Sequence, residues 1–150
     1  MMTSTVFTPS VQLAAKHDWV SLELERFRSE RRPVLGELPA DVAGAVRAIH
    51  ENVFDSQLNV KTLKRRQSIR NNNFSTHFRR IVGIGLRDYI EALRLEAAER
   101  LLRNPELEIY LVAMAVGYEH PETFCRAFCR RLGVTPQEWR IETKEEVSSR

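Results

Sequence analysis

The feature that most constrains the fold of this chain is an internal repeat with a spacing of fifty residues. Segments 58–83 and 108–133 align at this spacing, and each reads as a short helical stretch, a tight turn and a longer helical stretch with two phenylalanines four residues apart. The matched pairs are Leu63 with Val112 and Ile69 with Tyr118, which are 49 residues apart, and Phe74 with Phe124, Phe78 with Phe128, and Gly83 with Gly133, which are 50 residues apart. Two such copies around one long helical stretch predict two helix-turn-helix units.

Helical periodicity dominates the rest of the chain, whereas alternating strand patterns and hairpin turns are nearly absent. We therefore predict an all-α protein, with two homeodomain-like three-helix units joined by a long linker helix and preceded by an N-terminal helix. The predicted helices are 17–31, 41–54, 58–67, 72–82, 86–103, 109–116, 121–132 and a short last helix, 136–139, capped by Thr135. The predicted divisions are an N-terminal extension and linker over 1–38, the two-unit domain over 39–141, and a polar, frayed tail over 142–150.

Composition excludes several classes of protein. No apolar run approaches the roughly 20 residues of a membrane helix, and the N-terminus lacks the pattern of a secretory signal, so we expect a cytoplasmic protein without a membrane partner. The two cysteines, Cys125 and Cys129, lie four residues apart in one helix, and no set of histidines completes a metal site with them. No phosphate-binding loop, nucleophile motif or carboxylate pair is present. We expect no enzymatic activity, no metal and no cofactor.

The distribution of charge points to a polyanionic partner. The chain has a net charge of +3, yet residues 56–87 contain eight basic residues and no Asp or Glu. The remainder of the chain therefore has a net charge of −5. An acid-free stretch of this length beside acidic flanks is better explained by a nucleic-acid partner than by a solvated surface.

The repeat divides each longer helix into an inward and an outward face. In the second copy, Ala113 and Gly117 occupy the close-contact and turn positions of a helix-turn-helix, and Tyr118 follows as a core residue. The phenylalanines of both copies and Ile81 are predicted to face inward. Asn71 is expected to cap the helix of the first copy. The outward residues are predicted to be Asn72, Ser75, Thr76 and Arg79 in the first copy, and Thr123, Arg126 and Arg130 in the second.

Residues 40–140 resemble the DNA-binding domain of the AraC/XylS family of transcription regulators. The most specific segment is 109–140, IYLVAMAVGYEHPETFCRAFCRRLGVTPQEWR, and the stretch 89–102, YIEALRLEAAERLL, is similar to the family's linker helix. The signature positions are Ala113, Gly117, Tyr118, Phe124, Arg126, Phe128, Gly133, Pro136 and Arg140. The resemblance implies that two recognition helices enter successive major-groove segments of double-stranded DNA. It also implies that the protein regulates transcription, with RNA polymerase as a further partner.

The resemblance assigns candidate roles by position. The candidates for DNA base contacts are Asn72, Ser75, Thr76, Thr123 and Arg126. The candidates for DNA phosphate contacts are Lys61, Lys64, Arg65, Arg79, Arg80 and Arg130. The first unit departs from the family pattern, because Lys64 and Ser68 replace a small residue and a glycine, and Leu86 replaces a proline before the linker helix.

The N-terminal helix leaves two interpretations open. Its apolar stripe, Trp19, Val20, Leu24 and Phe27, needs burial, either in a homodimer through residues 10–31 or by folding back on the domain. An alternative function follows if residues 10–31 form an interaction surface and the irregular first unit reads DNA poorly. In that alternative, the chain is a protein-interaction module that modulates another regulator or RNA polymerase and reads DNA only weakly.

Overall fold

A computed structural model describes residues 9–148, and within that range the only regular secondary structure is α-helix. The helices are α1 (Pro9–Glu30), α2 (Ala40–Asn52), α3 (Val60–Arg66), α4 (Phe74–Val82), α5 (Leu86–Leu102), α6 (Ile109–Ala115), α7 (Pro121–Leu132) and α8 (Pro136–Ser148). Helices α2–α4 form the first unit and α6–α8 the second, with α5 between them. The predicted all-α fold of two helix-turn-helix units is confirmed.

Helix α5 is the shared core of both units. Its apolar residues are buried around most of its circumference, as expected for a helix that packs against neighbours on several sides. The buried apolar residues of α5 are Leu86, Ile90, Ala92, Leu93, Leu95, Ala97, Ala98, Leu101 and Leu102. Arg140 of α8 stabilises the carboxyl end of α5, since its Nε donates to the Leu102 carbonyl at 2.9 Å and its Nη2 to the Leu107 carbonyl at 2.7 Å.

The two copies of the repeat differ by one residue in the turn. Helices α3 and α6 begin 49 residues apart, whereas Phe74 and Phe124 are 50 residues apart. The constant spacing of fifty residues is therefore wrong for the first helix of each unit, because the second unit has one more residue before its phenylalanine. With this shift, Ser68 is the counterpart of Gly117, and both have left-handed backbones, with φ of 53° and 105°.

Ser68 adopts a conformation that favours glycine, so we expect Ser68→Gly to stabilise the protein. A left-handed backbone costs a residue with a Cβ about 1–2 kcal/mol. Glycine removes this cost but makes the unfolded chain more flexible, which offsets about 0.5–1 kcal/mol. Denaturant unfolding should therefore show a gain of about 0.5–1 kcal/mol for Ser68→Gly. The control, Ser68→Ala, should show no gain, and an equal effect of both substitutions would contradict the conformational explanation.

Helix α1 folds back on the domain. Phe27 is buried, and its ring lies 6.0 Å from the ring of Phe54, two residues after the end of α2. Trp19, Val20 and Leu24 are partly buried against the same core. Ion pairs also join this helix to the domain, from its carboxyl end and from Lys16 in its first half: Arg31 to Glu96 at 2.9 Å, Glu30 to Arg100, and Lys16 to Glu108 at 3.5 Å. Folding back is confirmed, and it covers the apolar stripe on which the homodimer prediction rested.

Several helix boundaries differ from the prediction, among them the start of α3, which is Val60 instead of Leu58, and the end of α2, which is Asn52 instead of Phe54. Helix α1 begins at Pro9, eight residues before the predicted start, and α4 begins at Phe74 instead of Asn72. Helix α8 continues through Ser148, so the prediction of a short last helix and a frayed tail is wrong for residues 142–148. That segment has no helix-breaking residue and is rich in Glu and Lys, which have high helix propensity. Thr135 does cap α8, since its Oγ1 accepts from the Glu138 N–H at 3.1 Å.

Candidate nucleic-acid interface

Helix α7 presents an apolar face to the core and a polar face to solvent. Phe124, Ala127 and Phe128 are buried, and the two phenylalanine rings lie 5.7 Å apart. Pro121 occupies the first turn of the helix, and Gly133 ends it in the left-handed conformation. The helix therefore presents its polar face to solvent in a fixed orientation.

The predicted contact residues of α7 lie on that polar face. Thr123, Arg126 and Arg130 are all exposed. Among residues 14–148, whose side chains the structure describes, Arg126 has no ion-pair or side-chain hydrogen-bond partner, which leaves its guanidinium available to a ligand. Arg130 donates from Nη2 to both carboxylate oxygens of Glu91, at 2.9 and 2.8 Å, and this contact raises its pKa. The pairing leaves its Nε and Nη1 groups unoccupied by Glu91.

Helix α4 has the same two-faced arrangement. Phe74 and Phe78 are buried, Thr76 is exposed and Ser75 is half-buried. Asn72 is also exposed, but it lies in the turn before the helix.

Two predictions about α4 need correction. Asn71 Oδ1 accepts from the Asn73 N–H at 2.9 Å and so stabilises the turn, but Asn73 is the residue at the cap position. Ile81 does not face inward, because 40% of its surface is exposed, whereas the neighbouring Val82 packs against the core. Val82, four residues after Phe78, is therefore the residue that is partly buried at this end of α4, in place of Ile81.

The predicted phosphate-contacting side chains of the first unit are accessible. Lys61, Arg65, Arg79 and Arg80 are exposed, and Lys64 is half-buried. Arg66, in the same basic stretch, is instead paired with Asp55 at 3.2 Å. The start of α3 is itself well ordered by a capping box that the sequence analysis missed. There, Asn59 Oδ1 accepts from the Thr62 N–H and Thr62 Oγ1 accepts from the Asn59 N–H, both at 2.9 Å.

A cleft of about 600 Å³ lies between the two units, bounded by the start of α3, the first half of α5 and the polar face of α7. Lys61, Arg87, Arg126 and Arg130 line it, with Glu91 as its acidic residue. The structure thus places Lys61, a predicted phosphate contact of the first unit, on the same cleft as Arg126 and Arg130, the predicted contacts of the second unit. Arg87 of the linker helix lines the cleft as well, although it was not among the predicted contacts. Arg87 is exposed. It is the last residue of the acid-free stretch 56–87, and that position in the sequence could have indicated that it contributes to this positive surface.

Arg94 of α5 is a second residue that the sequence analysis missed. It is 9% exposed, and its guanidinium donates to the backbone carbonyls of Val53, Asp55 and Leu58. Burial lowers the pKa of Arg94, yet an arginine remains protonated at neutral pH. Burial also raises the pKa of the adjacent Tyr118 to about 12, so the tyrosine remains neutral. The signal was a charged residue at a core position of the helical pattern, four residues after Ile90.

A family model described as "Helix-turn-helix domain" matches residues 63–141 of this chain, from α3 into α8. Regulatory protein SoxS of Escherichia coli strain K12 is 33% identical over 86 residues, which cover 57% of this chain and 80% of SoxS. The chain belongs to the AraC family. The HTH-type transcriptional activator RhaR of Enterobacter sp. strain 638 is 35% identical over 68 residues, which cover 45% of this chain and 24% of RhaR.

Solved structures share the fold. The C-terminal domain of AraT, a response regulator from Geobacillus stearothermophilus, aligns with a TM-score of 0.67 and 26% identity, over 71% of this chain and 88% of that domain. The DNA-binding domain of AdpA, a global transcriptional factor solved in complex with a target DNA, aligns with a TM-score of 0.64 and 25% identity. That alignment covers 72% of this chain and 96% of the AdpA domain.

The likeness to most curated relatives is confined to part of their length. The chain spans 35% of the Msm operon regulatory protein of Streptococcus mutans and 24% of RhaR. Within residues 9–148, no helix is long and apolar enough to cross a membrane. Cys125 and Cys129 are free thiols on α7, and no group of three metal-ligating side chains converges in that range.

Proposed function

We propose that this chain is a sequence-specific, double-stranded DNA-binding transcription regulator. The observation that carries the proposal is the presence of two similar helices, α4 and α7, one on each side of α5. Each buries a phenylalanine pair and exposes polar and basic residues. The similarity to AraC family regulators and to a domain solved with its target DNA supports this function. Such a regulator acts where the bacterial chromosome lies, in the cytoplasm, and performs no catalysis.

We assign base contacts and phosphate contacts to different parts of this surface. The proposed base contacts are Asn72, Ser75, Thr76, Thr123 and Arg126. The proposed phosphate contacts are Lys61, Lys64, Arg65, Arg79, Arg80 and Arg130, and the lining of the cleft adds Arg87. Hydroxyl, amide and guanidinium groups suit base edges, while the ammonium and guanidinium groups around them suit phosphates.

The direct test is selection of bound fragments from bacterial genomic DNA with the purified protein, followed by footprinting on the selected site. Two recognition helices should protect two major-groove segments, with centres about 34–36 Å apart along one face of the duplex. Protection of a single short segment would contradict the two-unit interface. Binding without any sequence preference would contradict the regulator.

Arg126→Ala should reduce discrimination at one base position of the selected site. A guanidinium that reads guanine with two hydrogen bonds contributes about 1–3 kcal/mol, so the preferred base should lose most of its advantage over the other three. Competition binding with single-base variants of the site measures this loss. Arg103→Ala is a suitable control, because Arg103 is exposed at the carboxyl end of α5, whereas Arg126 lies beside the first half of that helix. Equal weakening by Arg126→Ala on specific and random DNA would reassign Arg126 to a phosphate contact.

Protein interaction is the second candidate function, and an apolar groove favours it. The groove lies between α1 and α6, has a volume of about 340 Å³, and is lined by Val20, Leu24, Leu111 and Met114. Met114 is 57% exposed, and Tyr110 on the same helix is 51% exposed. RNA polymerase is the partner implied by the family resemblance, and another regulator is the other partner that this alternative allows. Tight binding to purified RNA polymerase, together with only nonspecific affinity for DNA, would favour this function over the first.

A further inference from the structure

Arg94 contacts both helix-turn-helix units from a single position on the linker helix. On the side of the first unit, its Nε donates to the Val53 carbonyl at 2.8 Å. Its Nη2 donates to the carbonyls of Asp55 at 2.8 Å and Leu58 at 3.0 Å. All three acceptors lie at the end of α2 or in the segment that leads to α3. The guanidinium therefore fixes the backbone of the first unit relative to α5.

The other side of the same guanidinium lies against the turn of the second unit. Its Cζ is 5.7 Å from the centre of the Tyr118 ring, and that ring packs edge-on against Phe124 of α7, with centroids 5.5 Å apart. The backbone of Gly117 approaches so closely that a Cβ there would lie 2.8 Å from Arg94 Nε and 3.1 Å from Cζ. A continuous set of contacts thus runs from the first unit through Arg94 to the recognition helix of the second.

The contacts of Arg94 leave little freedom for one unit to turn relative to the other. Three hydrogen bonds with a planar guanidinium define its orientation, and their loss would remove a buried donor from the Val53 and Leu58 carbonyls. The Asp55 carbonyl also accepts from the Leu58 N–H, at 3.0 Å. A direct hydrogen bond from Gln57 Nε2 to Glu119 Oε1, at 2.8 Å, also joins the units, but it is exposed to solvent. Solvent competes with an exposed bond of this kind, so we assign the larger constraint to the buried arginine.

We infer that Arg94 is a positioning residue that sets the number of base pairs accepted between the two DNA segments. This inference rests on the proposed function. One inserted base pair moves the second major-groove segment about 3.4 Å along the duplex and turns it about 34–36° around the axis. A rigid pair of recognition helices cannot follow both changes. A pair that turns more freely about α5 follows them at a smaller loss of affinity.

The test compares DNA binding at two spacings. Duplexes carry the site selected by the wild-type protein, either unchanged or with one base pair inserted between the two protected segments. For each protein, the measured quantity is the ratio of the two dissociation constants. The wild-type protein should bind the lengthened site at least about tenfold more weakly, comparable to the loss of a base contact. Arg94→Met keeps an apolar stem but loses the guanidinium, and its ratio should fall below about threefold.

The ratio separates positioning from simple loss of folded protein. A smaller folded fraction raises both dissociation constants equally and leaves their ratio unchanged. Arg103→Met, the same substitution at the exposed end of α5, should retain the wild-type ratio. Should Arg94→Met fail to fold, Tyr118→Leu removes the ring contact and leaves the three carbonyl acceptors in place, and it should also lower the ratio.

The outcomes distinguish the inference from the function on which it rests. A wild-type protein that selects no DNA sequence overturns the proposed function. A wild-type protein that binds a selected site but tolerates the inserted base pair overturns the inference alone. The inference is equally wrong if Arg94→Met, or Tyr118→Leu in its place, folds and keeps the wild-type ratio.

Discussion

Replacing Gly117 with alanine is expected to destabilise the protein by about 2 kcal/mol or more, through two separate costs that exceed the stabilising loss of entropy in the unfolded chain. The backbone of Gly117 is left-handed, with φ of 105°, and a residue with a Cβ pays about 1–2 kcal/mol to adopt it. The new Cβ would also lie 2.8 Å from Arg94 Nε, so the guanidinium has to move. Displacing it weakens hydrogen bonds to buried carbonyls, and each unpaired group costs about 1–3 kcal/mol.

The chain offers a matched control for this prediction. Gly133 is also left-handed, with φ of 79°, but a Cβ there would meet nothing within 4 Å. Gly133→Ala should therefore show the backbone cost alone, which is about 0.5–1 kcal/mol once the lower entropy of the unfolded alanine variant is counted. Chemical denaturation of both variants measures the difference between them. Equal losses would show that Arg94 moves aside at no cost, and would weaken the case for a tightly held guanidinium.

A fourfold rise in salt, from 50 to 200 mM, is expected to lower the affinity for the selected DNA by about 10³. Each neutralised phosphate releases counterions and contributes about −0.9 to the slope of log K against log salt. The six phosphate contacts predicted from the sequence, Lys61, Lys64, Arg65, Arg79, Arg80 and Arg130, therefore predict a slope of about −5, and the added contact from Arg87 would make it steeper by about one. Residues 56–87 supply five of these six contacts and contain no Asp or Glu that would reduce the slope, whereas Arg130 is paired with Glu91.

Binding isotherms at several salt concentrations measure the slope, and single substitutions assign it to residues. Each contact that is lost should make the slope shallower by about one and weaken specific and random DNA alike. Lys64→Ala is informative because the half-buried Lys64 occupies a position where a small residue suits close packing. Arg66→Ala is the control, since Arg66 is already paired with Asp55. A slope near zero for the wild-type protein would contradict a phosphate-based interface.

The sequence alone was sufficient to predict the class of fold and the two recognition helices. Phenylalanines at matching positions, a glycine after each longer helix and a proline at the start of α7 are local signals, and each acts within a few residues of itself. The outward faces follow from the same periodicity, so Thr76, Thr123 and Arg126 were placed correctly on exposed surface. The contacts that these residues make with DNA stay a prediction.

Where the outcome depended on contacts between distant segments, periodicity was insufficient. A helical repeat gives equal weight to Ile81 and Val82, and only the packing of α4 against its neighbours exposes the first and shields the second. The apolar stripe on α1 was compatible both with a homodimer and with folding back on the domain. Only the structure, in which α1 forms ion pairs with Glu96 and Glu108, places the helix on the domain. In the sequence, Arg94 is a charged residue at a position where the helical pattern of α5 predicts an apolar core residue. Its three carbonyl partners are 36 to 41 residues away in sequence, and no local pattern brings such groups together.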